Sequence, residues 1–283
     1  MQFSIQHKTS YRYDRPVQLG PHIVRLLPRN DGRQRLLDYQ CSVTPHPVLQ
    51  SNVLDAAGNQ VTHLWFSGTT TELHISIRTR IVTVKNSAYD FIVDTPATGI
   101  PVAYSGNEQH QLAAYREPVA HTLPRVNGLA ARLARKSGYN TLVFLDTLNS
   151  YLHTGLEREI RVQGPPQDPE LTLARRRGAC RDLAMLFIAV CRDQGIASRF
   201  VSGYQAHAET RGNRRHLHAW PEVYIPGGGW RGYDPSHASL VVDGHVALAA
   251  ACTAAGAMPV DGSYYGDGAH AGMDFELSIQ TDN

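Results

Sequence analysis

The stretch Arg177-Gly178-Ala179-Cys180-Arg181-Asp182-Leu183-Ala184-Met185-Leu186-Phe187-Ile188-Ala189-Val190-Cys191-Arg192-Asp193-Gln194-Gly195 constrains this chain more than any other. It predicts a mostly apolar helix with a cysteine at its start. Ala184, Phe187 and Cys191 share a face with Cys180 at helical spacing, and Leu183, Leu186, Ile188 and Val190 widen the apolar surface. A helix apolar nearly all round is buried, so the rest of the chain is organised around it. Gly178 frees the turn that enters the helix, and Gly195 stands where a C′ glycine belongs. The run has too many charged neighbours and too few apolar residues to span a bilayer.

A thiol in the first turn of a buried helix lies at the positive end of the helix dipole. Backbone N–H groups without partners favour an anion there. Both effects lower a cysteine pKa and populate the thiolate, the nucleophilic form. Position alone leaves two readings of Cys180 open: an activated nucleophile and a small buried hydrophobe.

Whole-chain properties narrow the class. A length of 283 residues predicts one or two domains. The 27 basic and 25 acidic residues leave a net charge of +2, which gives no reason to expect nucleic acid or an anionic membrane as a partner. Met1 to Lys8 lacks the apolar core of a signal peptide, and no apolar run is long enough for a transmembrane helix. Cys41, Cys180, Cys191 and Cys252 form no C-x-x-C pair, and their spacing suggests neither a zinc site nor a disulfide framework. Thiols without a signal peptide point to the cytoplasm. No metal or cofactor is expected. The 14 histidines include no H-E-x-x-H or Cys/His cluster, and no phosphate loop, Rossmann fingerprint or G-x-S-x-G elbow occurs.

Residues 1 to 88 read as β structure. Phe3, Ile5 and His7 alternate, Tyr11 and Tyr13 continue the parity, and Pro16 is expected to end the run. Leu36 to Val43 predicts a second strand. Gly58-Asn59 marks a turn between Asn52–Leu54 and Val61–Phe66, and Leu73 to Val84 alternates throughout. Such spacing suggests an antiparallel sheet or sandwich. Tyr89 to about Gln111 reads as a connection. Helices are expected over Asn127–Arg135, Thr141–Thr154 and Pro169–Arg177, the last with Asp168 as N-cap and Pro169 at N1. Arg175, Arg176 and Arg177 read as cations offsetting the dipole of that helix. The division expected is residues 1–110 as an N-terminal antiparallel β domain with its connection, and residues 111–283 as the core that holds the cysteine.

Beyond Gly195 the period changes. Ser198 to Tyr204 predicts a strand, Ala206 to Arg215 a polar loop, and His216 to Ile225 a strand that turns at Pro226-Gly227-Gly228-Gly229 into Trp230 to Asp234. This is a β-hairpin with His218 near the open end of one strand and Asp234 near that of the other. A regular register does not put them opposite, so a bulge or strand twist is needed. A thiolate needs an imidazole, and the imidazole needs a third group to fix its tautomer. Cys180, His218 and Asp234 supply these on helix, strand and paired strand, in that order.

These residues resemble a known family. Gly178-Ala179-Cys180-Arg181-Asp182, Gly195 to Tyr204, His218-Ala219-Trp220, Gly229-Trp230 and Tyr233-Asp234-Pro235 are similar to the core of the bacterial transglutaminase-like proteins. Tyr11 to Val17, Leu26 to Arg29, Arg33 to Arg35 and Asp55 to Asn59 resemble that family's N-terminal β domain, and Val242 to His245 and Ser263 to Gly266 its C-terminal segment. The resemblance implies an α+β fold: an N-terminal antiparallel β domain followed by a papain-like core whose nucleophile helix packs on an antiparallel sheet. It implies Cys180 as nucleophile, His218 as base and acid, and Asp234 as orienting group. The chemistry implied is transamidation, deamidation or hydrolysis of an amide or peptide through a thioester, with a peptide or protein amide as substrate and an amine as optional acceptor. It also implies the Cys180 N–H as one oxyanion donor. Animal members use an upstream Trp as the second, and the nearest here is Trp65. Two positions depart from the family: Arg181 stands where Gln is common, and Met185 where His is common.

The alternative to an enzyme is a binding or scaffolding protein that keeps this fold without turnover. Among other candidates, His216 lies two residues before His218 and is expected on the same strand face, as a substrate contact or as the alternative base. His237 either lines the mouth or is an ordinary loop residue. Trp220 and Trp230 read as core aromatics, and Cys191 and Cys252 as structural.

Overall fold

In the computed structural model, which describes residues 1–84, 87–120, 123–206 and 215–282, the alternating first third folds into antiparallel strands. These are β1 (Gln2–Val24), β2 (Gln34–Thr44), β3 (Leu49–Leu54), β4 (Gln60–Trp65) and β5 (Thr69–Thr83), arranged β2-β5-β1-β4-β3. Phe3, Ile5 and His7 of β1 and Leu73, Ile75, Ile77 and Ile81 of β5 are buried, with more exposed residues between them. Pro16 does not end β1. The pairing with β5 is irregular between Arg12 and Val17, so the missing N–H of Pro16 breaks no ladder bond.

The next elements are α1 (Gly106–Gln111), α2 (Ala113–Arg116), α3 (Pro124–Lys136), α4 (Thr141–Gly155), β6 (Glu157–Arg158), α5 (Pro169–Arg175), β7 (Arg177–Gly178) and α6 (Cys180–Asp193). Asp168 caps α5 as its sequence predicts, accepting from Glu170 N at 2.8 Å and Leu171 N at 3.3 Å. The helix stops two residues earlier than expected because Arg176 is left-handed, at φ 51°. That frees Arg177 and Gly178 to pair in parallel with β6. Helix α6 ends in a Schellman motif around Gly195, at φ 75°, with Ile196 N bonded to Cys191 O at 2.9 Å and Gly195 N to Arg192 O at 3.0 Å.

After α6 the chain forms β8 (Ser198–Gln205), β9 (His218–Ile225), β10 (Gly229–Asp234), β11 (Ser239–Leu240) and β12 (His245–Ala251), a second antiparallel sheet in the order β11-β10-β9-β8-β12. Of the polar loop expected between 206 and 215, residues 207–214 lie outside the described residues. The last strands, β13 (Val260–Tyr265) and β14 (Ala271–Asp282), return to the first sheet and pair with β1. The expected division at residue 110 therefore follows the chain but not the sheets. The alternation in β14 is weakly apolar, with Ile279 its one buried residue, and only the long β1 gives it a place.

Three layers result. Leu183, Leu186, Phe187 and Val190 of α6 pack with α3 and α4 and with Val223 and Ile225 of β9. On the other side, Tyr204 of β8 and Val246 and Leu248 of β12 share a core with Phe3, Ile5, Leu64 and Ile75 of the first sheet. The open edge of β12 is closed by two side-chain amides: Gln34 exchanges both bonds with Ala247 at 2.8 Å, and Asn59 accepts from Ala250 N and donates to its carbonyl. An exposed edge is thus covered without a further strand. No helix among the described residues is long and apolar enough to cross a membrane.

Candidate active site

Cys180 is the first residue of α6 and is half-buried. Its turn is built by Asp182, a fully buried carboxylate in the third position of the helix. Asp182 accepts from Ala179 N at 2.8 Å, from Gln167 N at 2.7 Å and Gln167 Nε2 at 2.9 Å, and from Arg161 at 2.7 Å. The helix start is thereby held from three directions, which satisfies an N-terminal donor in place of a capping side chain at Ala179. Gly178 is needed for closeness rather than for an unusual turn: a Cβ there would stand 2.9 Å from Asp182 Cβ and 3.1 Å from Thr172 Cγ2.

Helix α6 packs across β8 and β9, and this carries the thiol to His218, the first residue of β9. Both side chains line one cavity, and the charge of each acts on the other. On the far side of the ring, His218 Nε2 lies 2.8 Å from Asp234 Oδ2, so Nδ1 is the nitrogen left to the thiol. The β9–β10 ladder runs in register as far as Glu222 and Gly232 and then stops, while Asp234 pairs with Ser239 of β11. Continued, that register would set Asp234 opposite Trp220, which leaves His218 the diagonal neighbour, within reach of a long side chain. Helix α4 holds the turn beyond Asp234: His153 Nδ1 lies 3.1 Å from Ser236 O, and Asn149 donates to Ser239 O at 3.1 Å.

Burial penalises each charge in this row, and the neighbours reverse the penalty. Burial pushes the Cys180 thiol up, but its bond and charge interaction with His218, then Arg181 and the Ala219 N–H, bring it below an ordinary thiol. Burial disfavours a charged His218, yet Asp234 and Cys180 raise it to about 10. Asp234 is held well below the usual carboxylate range by His218 first, then His237 and His245, against its burial. A thiolate–imidazolium pair backed by a carboxylate is what this arrangement favours.

His237 lines the cavity mouth, one of the two places its sequence position offers, but neither its bond to Asp234 nor that of His245 has a sequence signal. His237 Nδ1 lies 2.8 Å from Asp234 Oδ2, and His245 Nε2 lies 3.1 Å from the same oxygen. His237 sits in the turn after β10 and His245 begins β12, so no local pattern joins them. Among the described residues, His218, Asp234 and His245 form the one trio whose ligand atoms all lie close enough for an ion, within 4.8 Å. The N···O separations of 2.8 and 3.1 Å are those of hydrogen bonds.

His216 departs from expectation. It precedes β9 and so has no place on that strand's face, yet it lines the same cavity as Cys180 and His218, its ring edge-on against Phe275 of β14 at 5.3 Å between centroids. Trp65 stacks on His63 in the first sheet and is not among the residues lining the cavity. Met185 packs against the same buried cluster as Cys180, and Arg181 turns to the carbonyls of Arg161, Gln163 and Gly164. Arg176 and Arg177 bond Gly155 O and Glu159, so neither is aimed at Cys180. Trp220 is fully buried and lies 5.2 Å from the His245 ring. The thiol opens into a cavity of about 300 Å³ walled by both sheets, with Phe200, Leu217 and Ala219 on one side and Val260, Met273 and Phe275 on the other.

Residues 3–82 match the bacterial transglutaminase-like N-terminal region, and residues 127–235 the transglutaminase-like superfamily. An uncharacterized protein of Mycobacterium tuberculosis is 24% identical over 305 residues, covering 98% of this chain and 92% of its own. One of Mycobacterium leprae is 25% identical over 272 residues, covering 94% of each. A crystal structure of a candidate cysteine protease from Cytophaga hutchinsonii has the same fold, with a TM-score of 0.73 at 22% identity over 100% of this chain and 92% of that one. The chain thus carries a bacterial transglutaminase-like N-terminal region followed by a transglutaminase-like superfamily core.

Proposed function

We propose that this protein is a thiol-dependent acyl-transfer enzyme acting on amide or peptide bonds, with Cys180 as nucleophile, His218 as acid and base, and Asp234 as the group that orients His218. The observation that carries the reading is the His218–Asp234 bond set beside the Cys180 thiol at the wall of a cavity. The Cys180 thiolate attacks the substrate carbonyl carbon, and the oxyanion forms beside the first turn of α6. There the Cys180 N–H has no helical carbonyl to bond. As the C–N bond breaks, the His218 imidazolium gives its Nδ1 proton to the leaving amine, which leaves a thioester on Cys180. Water or a primary amine then gives its proton to His218, attacks the thioester and expels the thiolate.

The test is to incubate the purified protein with glutamine-containing peptides, with and without a primary amine, and to read Cys180 by intact-mass and peptide mass spectrometry. An acyl adduct on Cys180 is expected, absent in Cys180→Ala. In His218→Ala, kcat is expected to fall by about 10³ or more, because acid, base and thiolate stabilisation are lost together. Full turnover by Cys180→Ala would sink the assignment.

A further inference from the structure

Asp234 takes three imidazole contacts on one oxygen: His218 Nε2 at 2.8 Å, His237 Nδ1 at 2.8 Å and His245 Nε2 at 3.1 Å. Its other oxygen accepts from Ser236 N at 3.0 Å. A carboxylate oxygen only accepts, so each facing nitrogen carries a hydrogen. What stands at the second nitrogen of each ring then fixes its charge.

Arg158 Nη1 lies 3.0 Å from His237 Nε2. A guanidinium only donates, so His237 Nε2 is an acceptor and the ring is the neutral Nδ1–H tautomer. Gln205 Nε2 stands 3.5 Å from His237 Nδ1, too far to compete with Asp234. His245 Nδ1 is buried with no partner among the described residues, so a second proton there would be an unsolvated N–H, and the ring stays neutral as Nε2–H. Burial also lowers the pKa of His245. His218 differs from both because its second nitrogen faces a thiol that can become an anion.

We infer that His237 and His245 are neutral positioning residues that act through Asp234, keeping its buried carboxylate ionised and leaving His218 as the one imidazole that carries charge opposite the Cys180 thiolate. This rests on the reading of Cys180, His218 and Asp234 as a working set. The titratable and charged groups that face Asp234 or its partners are His218 from β9, His237 from the turn after β10, His245 from β12, Arg158 from β6 through His237, and Cys180 and Arg181 from α6 through His218. A carboxylate without partners in this site would take up a proton, His218 would lose its counter-charge, and the ion pair would collapse to neutral thiol and imidazole. His237, partly buried at the cavity beside Arg158, and the buried His245 thus hold the pair through one carboxylate oxygen.

The experiment follows Cys180 alkylation by iodoacetamide from pH 4 to 9 in the wild type, His237→Leu, His245→Leu, His237→Gln and His245→Gln. The wild type is expected to react as a low-pKa thiol. In each Leu variant the acid limb should move up by about one pH unit, the size of one lost bond to a charged group, while the rate at pH 9 stays. The Gln variants, which keep an N–H for Asp234, should restore the limb. Limbs unmoved in the Leu variants would overturn this inference alone, and an ordinary thiol in the wild type would overturn the set it rests on. Nitrogen-15 spectra of the wild-type imidazoles need no variant to fold: His237 and His245 should be neutral at pH 7 with the tautomers above, and a doubly protonated ring at either position would refute the proposal.

Discussion

His7 and His218 are both buried, yet their pKa values move in opposite directions. His218 faces a carboxylate and rises to about 10. His7 faces hydroxyls, Tyr204 at 3.1 Å and Thr9 at 3.3 Å, and burial lowers it to about 4. The native state therefore holds His7 neutral, while the unfolded chain protonates it below about 6.5. Stability from His7 is complete above that value and is lost as pH falls toward 4, by up to on the order of 3 kcal/mol. Urea unfolding of the wild type should weaken across this window more steeply than that of His7→Gln, and parallel curves would contradict the account. The same contrast marks what was legible. Cys180, His218 and Asp234 could be named from their order along the chain. His237 was legible as a residue of the cavity mouth, but its role and that of His245 were not, because a shared oxygen on Asp234 is a tertiary fact with no spacing of its own.

Elements were more legible than their ends. The helix from Cys180 to Gly195 follows from its apolar face and its terminal glycine, and the β9–β10 hairpin from its glycine-rich turn. Gly178 and Pro16 differ from their usual meanings for opposite reasons. Gly178 suits a turn by its sequence, but what demands glycine is the close approach of Asp182 and Thr172. Pro16 usually stops a strand, but β1 already departs from regular pairing there. The strand parity that joins His216 to His218 does not apply, because β9 begins only at His218. A side chain at Gly178 should push on the turn that carries the thiol. Gly178→Ala is expected to cost about 1 to 3 kcal/mol in urea unfolding, as overpacking does, and to slow alkylation of Cys180. An unchanged midpoint would mean that the start of α6 has room to spare.

Across the whole molecule, the two sheets and the helices meet at one place. Helix α6 presents the thiol, the second sheet supplies His218, Asp234 and His245, and the first sheet walls the cavity through Met273 and Phe275. The return of β13 and β14 to β1 makes the N-terminal sheet part of the site's surroundings. Sequence patterns hid this, since pairing across more than 250 residues leaves no local signal. The account depends on one electrostatic claim, that Cys180 is held as a thiolate by His218. The direct measurement is competitive iodoacetamide labelling of Cys41, Cys180, Cys191 and Cys252 at pH 6, mapped by mass spectrometry in the wild type and in His218→Ala. The claim predicts that Cys180 reacts at least about tenfold faster than any other thiol, since its pKa lies below the usual value near 8.5. In His218→Ala that advantage should be gone. Labelling of Cys180 no faster than that of Cys41 or Cys252, or an undiminished rate without His218, would contradict it.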